Sequence, residues 1–183
     1  MASCCAFLRG INVNGIAIKM AELKAAFIEM GYADAKTLLA TGNVVFSLAG
    51  EEQNPEDAKG RIERELSNRF GYEAHVFLRG EREIREVIEA AETIDVPEGC
   101  HLYWFVCEDK ELPLELERRF QELPAASEER FWARENGAFW IVPKGSTLSS
   151  DFGSKVLGSK KFKDKLTSRN INTIGKIAQA MGQ

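Results

Sequence analysis

Apolar positions along this chain follow two periods, short runs closed by glycine or asparagine and longer stretches that repeat at helical spacing. Cys4-Cys5-Ala6-Phe7-Leu8-Arg9, ended by Gly10, predicts a short buried strand. Met20, Leu23, Phe27 and Met30 then recur at helical spacing and stop at Gly31, predicting the first helix. Lys36 to Ala40 and Val44 to Leu48 read as two strands joined through Thr41-Gly42-Asn43, a compact connection of turn formers. Pro55 opens a second helix with Ala58, Ile62, Leu66 and Phe70 on one face and Gly71 at its end, and Glu73 to Arg79 supplies the next strand.

Strand, helix, strand, strand, helix, strand is the split arrangement of ferredoxin-like folds. The order starts again with a strand at His101 to Cys107, a helix at Leu112 to Leu123, and strands at Arg130 to Arg134 and Ala138 to Val142 around Asn136-Gly137. A helix at Glu81 to Thr93 links the halves, and Pro97-Glu98-Gly99 marks the boundary. Beyond Val142 the pattern weakens. Ser149 to Leu157 reads as helical, Ser159 to Leu166 as a short element and Ile174 to Met181 as a last amphipathic helix; no eighth strand stands out. The expected fold class is α+β, two tandem ferredoxin-like units with a C-terminal helical tail. The expected domains are residues 1–80, a connecting helix and linker at 81–97, and residues 98–183 with the basic tail.

Phe-Leu-Arg-Gly occurs at Phe7 to Gly10 and again at Phe77 to Gly80. The two copies fall on antiparallel strands of one unit, which sends their arginines to opposite ends of the sheet and argues against a functional repeat. The same topology brings the end of the first strand, the start of the first helix and the first hairpin to one end of the sheet. Arg9, Gly10, Asn12, Lys19, Thr41, Gly42 and Asn43 are therefore expected to converge. Two cations, two carboxamides, a hydroxyl and two glycines, with no carboxylate, suit an anion such as phosphate beside a helix N-terminus. The competing reading is that the asparagines satisfy turn backbone while the cations are solvated or paired. The spacing is not that of a P-loop.

Phe7-Leu8-Arg9-Gly10-Ile11-Asn12-Val13, Lys19-Met20, Thr41-Gly42-Asn43-Val44-Val45-Phe46 and Thr167-Ser168-Arg169-Asn170-Ile171-Asn172-Thr173 together resemble the mainly bacterial domain-of-unknown-function family numbered 1697. The resemblance implies tandem ferredoxin-like units and brings no reaction, cofactor or catalytic residue. Relative to the usual pattern, Asn14 replaces a glycine, Thr41 a serine and Ile171 an aromatic. Arg169-Asn170-Ile171-Asn172 repeats the chemistry of the first cluster, a cation and carboxamides before a helix. It is expected to fold back over the same site, with Lys165 and Arg169 closing on the ligand and Asn170 and Asn172 beside it. A helix entry capped by Asn172 or Thr173 is the alternative, and it leaves Arg169 unexplained.

Charge changes this picture locally. The net charge of -4 is distributed as +1 over residues 1–50, -11 over 51–136 and +6 over 137–183. The basic tail (Lys155, Lys160, Lys161, Lys163, Lys165, Arg169 and Lys176) either attracts phosphate or answers the acidic middle of the same chain. At 44% apolar and 28% charged, the composition excludes disordered and collagenous classes. Four cysteines form no CxxC or zinc spacing, which points to a reducing, cytoplasmic setting, and no apolar run is long enough to span a bilayer.

No hydrolase, zinc-protease, EF-hand or dinucleotide motif is present. His75 and His101 lie in or beside apolar strands and read as structural, and Cys4 and Cys5 as buried thiols. No catalytic residue, metal or cofactor is assigned. Trp104, Trp132 and Trp140 with Tyr103, Phe105, Phe131 and Phe139 make the second unit aromatic-rich. These rings form either core, the favoured reading, or an exposed platform for bases or a second subunit. The leading expectation is a protein binding a phosphate-containing ligand, a nucleotide or a nucleic-acid segment. An enzyme acting on a phosphorylated or acidic small molecule and a non-catalytic homodimeric module are the alternatives.

Overall fold

The structure, a computed structural model, describes residues 2–11, 16–124, 128–135, 137–162 and 164–182. Its elements are β1 (Ser3–Arg9), α1 (Met20–Glu29), β2 (Lys36–Leu38), β3 (Asn43–Ser47), α2 (Pro55–Phe70), β4 (His75–Gly80) and α3 (Glu81–Glu92). They continue as β5 (Cys100–Cys107), α4 (Leu112–Gln121), β6 (Arg130–Arg134), β7 (Gly137–Pro143), a π-type segment (Phe152–Leu157), β8 (Leu166–Asn170) and α5 (Ile171–Met181). The fold is α+β, with two four-stranded antiparallel sheets ordered β2-β3-β1-β4 and β6-β7-β5-β8. Packing divides the chain into two compact units, Met1–Glu86 with Gly175–Gln183, and Val87–Ile174. This division differs from boundaries at residues 80 and 98 in splitting α3 and in giving residues 175–183 to the first unit.

In the first unit the two-residue period of β1 turns Cys4, Ala6 and Leu8 to one face. They pack with Val44, Phe46, Val76 and Leu78 of the neighbouring strands against Leu23, Ala26 and Phe27 of α1 and Ala58, Ile62 and Leu66 of α2. Helix α2 is delimited by local chemistry. The Asn54 side chain accepts the Asp57 N–H at 3.3 Å while the Asp57 carboxylate accepts the Asn54 N–H at 3.0 Å, a reciprocal capping box. Pro55 needs no hydrogen bond in the first turn, and Gly71 ends the helix at φ 66°. The two Phe-Leu-Arg-Gly copies cross at their phenylalanines, Phe7 opposite Phe77, which places Arg9 opposite His75 and Arg79 opposite Cys5 at the two ends of the β1–β4 pair.

The second unit packs Phe105 and Cys107 of β5, Phe131 of β6, Ala138, Trp140 and Val142 of β7 and Leu166 of β8 against Leu112 and Leu116 of α4 and Phe152 and Val156 of the π segment. Trp104, Phe105, Phe131, Phe139 and Trp140 are all buried, so most of the aromatic wealth is core; Tyr103 and Trp132 are half-buried. The β6–β7 hairpin requires glycine at its corner. Gly137 has φ 135°, and a Cβ there would lie 2.1 Å from the Phe105 carbonyl oxygen. Asn136 lies outside the described residues.

An eighth strand is present. Leu166–Asn170 pairs with β5, Leu166 opposite Cys107 and Asn170 opposite Tyr103, and completes a sheet with the same strand order as the first. Leu166 is the only apolar residue of its five, so the pattern that announces strands elsewhere is missing. Upstream, the π-type segment Phe152–Leu157 stands where an ordinary helix is expected over 149–157, and residues 159–162 are turns.

Candidate functional site

The end of the first sheet is built by the β1–β3 register, which runs from Ser3 opposite Ser47 to Phe7 opposite Asn43. One further step is made by Leu8, whose N–H donates to the Gly42 carbonyl at 2.8 Å. Continued once more, this register carries Arg9 toward Thr41. Gly42 is buried at φ 73°, and a Cβ on it would meet Ile11 Cδ1 at 2.5 Å, so the tip of the β2–β3 connection lies directly on the chain leaving β1. The end of β1 and the chain leaving it are thus brought against Gly42 and Asn43 as the topology requires, with Arg9, Gly10 and Thr41 adjoining them in the chain. Asn12 lies outside the described residues.

Lys19 stands at the entry to α1 with an extended backbone, φ -70° and ψ 138°, and makes no side-chain cap hydrogen bond. Its side chain is exposed, as is Thr41; Arg9 is half-buried. Asn43 differs from its expected role. Its side chain is fully buried, and Nδ2 donates to the Leu38 carbonyl and to Thr41 Oγ1, each at 2.9 Å. A buried amide spent on backbone and hydroxyl acceptors holds the β2–β3 connection closed, and the structural reading of this asparagine prevails.

The second cluster is arranged otherwise than expected. Because residues 166–170 are extended, Lys165 and Arg169 sit toward opposite ends of β8, about 13 Å apart along the strand. Lys165 is exposed beside the end of β5, where its carbonyl accepts the Glu108 N–H at 2.8 Å. Arg169 is 8% exposed, and its Nη1 donates to Thr167 Oγ1 at 2.6 Å and to the Ser168 carbonyl at 2.8 Å. Asn170 Oδ1 accepts the Asn172 N–H at 2.9 Å, and its Nδ2 meets His101 Nδ1 at 2.7 Å. Asn170 therefore caps the start of α5 in place of Asn172 or Thr173, because α5 begins at Ile171, earlier than its apolar period suggests.

The two units share a feature that the sequence comparison of Arg9 with Arg79 misses. Arg79 and Arg169 are each the penultimate residue of the last strand of a sheet, each followed by one residue and then a helix. Each donates from Nη1 to the carbonyl of the residue before it, Leu78 at 2.7 Å and Ser168 at 2.8 Å. Aligning the last strands, which needs β8, would have revealed the match.

Among the described residues of the tail, Lys155 pairs with Asp151 at 2.9 Å, and Lys161 with Glu115. The Lys161 ammonium holds the Glu115 carboxyl below its usual range. Lys163 lies outside the described residues.

The first unit also holds a part-buried polar network. Tyr32 Oη donates to Glu52 Oε1 at 2.9 Å, while Arg61 Nη2 donates to Tyr32 Oη at 2.7 Å and to the same Glu52 oxygen, and Ala49 N–H donates to Glu52 Oε2 at 3.1 Å. Arg61 Nη1 also donates to the Met30 carbonyl at 2.6 Å, at the end of α1. Burial opposes ionisation of Glu52, but its donors more than offset this and hold its pKa below the ordinary value. Burial first, then the neighbouring carboxylate, pushes the Tyr32 hydroxyl up. No sequence spacing announces three residues on a loop, a turn and a helix.

All four cysteines are buried and outside any disulfide, and burial pushes the Cys4 thiol up to about 12, which suits packing and not nucleophilic chemistry. Among the described residues no group of three or more His, Cys, Asp or Glu could hold a metal ion, and no helix is long and apolar enough to cross a membrane.

The fold is shared with the conserved bacterial protein SP0830 from Streptococcus pneumoniae, at TM-score 0.77 and 19% identity, over 100% of this chain and 99% of that one. No curated protein matches the sequence. Residues 1–139 match the family described as protein of unknown function, DUF1697, and the chain belongs to that family.

Proposed function

We propose that this protein binds a phosphate-containing ligand, a nucleotide or a nucleic-acid segment, at the loop end of the first sheet, and that its two sheets are tandem ferredoxin-like units of a cytoplasmic protein. The observation that carries the reading is the docking of the Thr41-Gly42 tip on the chain leaving β1, through the Leu8 N–H and Ile11. Arg9 and Thr41 are the next residues along the two strands at the sheet end to which the topology also brings the start of α1, where Lys19 adds an exposed ammonium. Arg9 and Lys19 supply charge, the uncapped first amides of α1 supply directed donors, and Thr41 orients an oxygen. Asn43 keeps the tip in shape. The cations of β8 and its flank are assigned no direct ligand contact, since Arg169 and Asn170 are engaged in closing their own sheet end.

The test is thermal unfolding at low salt with inorganic phosphate, pyrophosphate, adenosine triphosphate and a short oligothymidylate. A ligand at a hundred times its Kd stabilises by about 2.7 kcal/mol, which is readily seen. Stabilisation that Lys19→Ala and Arg9→Ala each abolish, with both variants folded, is the expected result. A nucleic-acid segment is distinguished by an affinity that falls steeply with salt and rises with oligonucleotide length. Failure of every anion to raise the melting temperature of the unmodified protein overturns the reading.

A further inference from the structure

The second unit contains a cavity unconnected with the anion chemistry above. It encloses about 390 Å³ and is walled by Phe120, Leu123, Pro124 and Phe152, with Glu129 and Asp151 the charged groups on its lining. Its apolar wall is built of packed rings. Phe120 and Phe152 meet edge to face at 5.2 Å between ring centres, and Phe152 is held from behind by Phe131 at 4.8 Å and Trp140 at 5.5 Å.

Glu129 is the polar group placed with most definition. Its Oε2 accepts the indole N–H of Trp140 at 3.2 Å, and Trp140 is itself 2% exposed, so the carboxylate is oriented by the core. Among the described residues no cation pairs with Glu129, whereas Asp151 is partly answered by Lys155 at 2.9 Å. Among the described residues, no lysine, arginine or histidine lines the cavity. An aromatic hollow with a carboxylate that no described cation pairs has the complementarity of a site for an organic cation. The ring faces and the carboxylate both attract positive charge, and the aliphatic and aromatic walls take the apolar body.

We propose that this cavity binds a small organic cation, a primary ammonium carried on an aromatic or branched apolar group, with Glu129 as its ion-pair partner and Phe120 and Phe152 against its body. The Glu129 carboxylate disfavours anions, so this site and the end of the first unit proposed for phosphate select ligands of opposite sign.

The test compares phenethylamine with two probes of similar shape, the neutral 3-phenylpropanol and the anionic 3-phenylpropionate, titrated into the full chain while the Trp140 indole N–H resonance is followed by NMR. Phenethylamine is expected to shift that resonance saturably, with the alcohol weaker and the acid silent. Glu129→Gln is expected to weaken the amine about tenfold or more and to leave the alcohol unchanged, because a charge-assisted contact is lost and the apolar wall is kept. Asp151→Asn provides a second variant should Glu129→Gln fail to fold, with a smaller weakening expected. Equal binding of amine and alcohol, or no saturable shift by about 10 mM amine, beyond the range in which cellular ligands bind, overturns the proposal. Since the probes are amines and the readout is Trp140, either result leaves the anion test independent.

Discussion

Glu52→Gln probes how the first unit is joined. The Glu52 side chain is 11% exposed and accepts from Tyr32, Arg61 and the Ala49 N–H, and Arg61 in turn reaches the Met30 carbonyl at 2.6 Å. Glutamine keeps the shape but removes the charge and replaces one acceptor oxygen by a donor. Either the Ala49 N–H or the Tyr32–Arg61 pair then faces an NH₂ group. Hydrogen bonds to charged groups contribute about 1.5–3 kcal/mol each, and partial rescue by the remaining oxygen sets the expected loss near 2–3 kcal/mol at neutral pH. The pH dependence has a definite sign. The folded carboxyl lies below its ordinary pKa, so the unfolded chain binds a proton first as pH falls. The stabilisation is complete above the unfolded value and is lost as pH falls through the folded one. Urea titrations at pH 7, 5, 4 and 3 are expected to show a gap between original and variant that is full at pH 7 and closes in acid. A gap that stays constant or widens toward pH 3 would refute the assignment of an ionised, network-held Glu52.

Gly137→Ala is expected to cost about 3–5 kcal/mol in denaturant titrations, since the new methyl would lie 2.1 Å from the Phe105 carbonyl oxygen at a φ of 135°. A loss under about 1 kcal/mol would mean that the β6–β7 corner shifts freely. Asn170→Ala removes both the acceptor for the Asn172 N–H and the partner of His101, and is expected to cost about 1–2 kcal/mol by the same measurement. Asn170→Asp, which keeps the capping oxygen, is expected to recover part of that loss.

What could be read from the chain followed the range of the interactions involved. Helix α2 was legible because Pro55 and Gly71 mark its ends locally, where Asn54 and Asp57 add a capping box. The meeting of the β2–β3 tip with the end of β1, Leu8 N–H on the Gly42 carbonyl, was legible because strand order alone dictates it. Strand β8 was not, because Thr167, Ser168, Arg169 and Asn170 carry no apolar alternation and its partner Tyr103–Cys107 lies some sixty residues upstream. The same gap hid the likeness of Arg79 and Arg169 and misassigned the cap of α5. Asn43 shows a different limit: a carboxamide beside a glycine looks alike whether it faces a ligand or a turn, and only its full burial and its bonds to Leu38 and Thr41 decide. Glu129 and the phenylalanines beside it were invisible for want of any periodic relation among a loop, a helix end and the π segment.

Residues 175–183 belong to the same compact unit as residues 1–86, with Ile177 and Met181 buried. On a ribosome adding about 5–20 residues per second, the 88 intervening residues take roughly 4–18 s to emerge, so the amino-terminal half waits unfinished while the carboxy-terminal half is made. The last-made residues thus complete the unit whose other residues are made first.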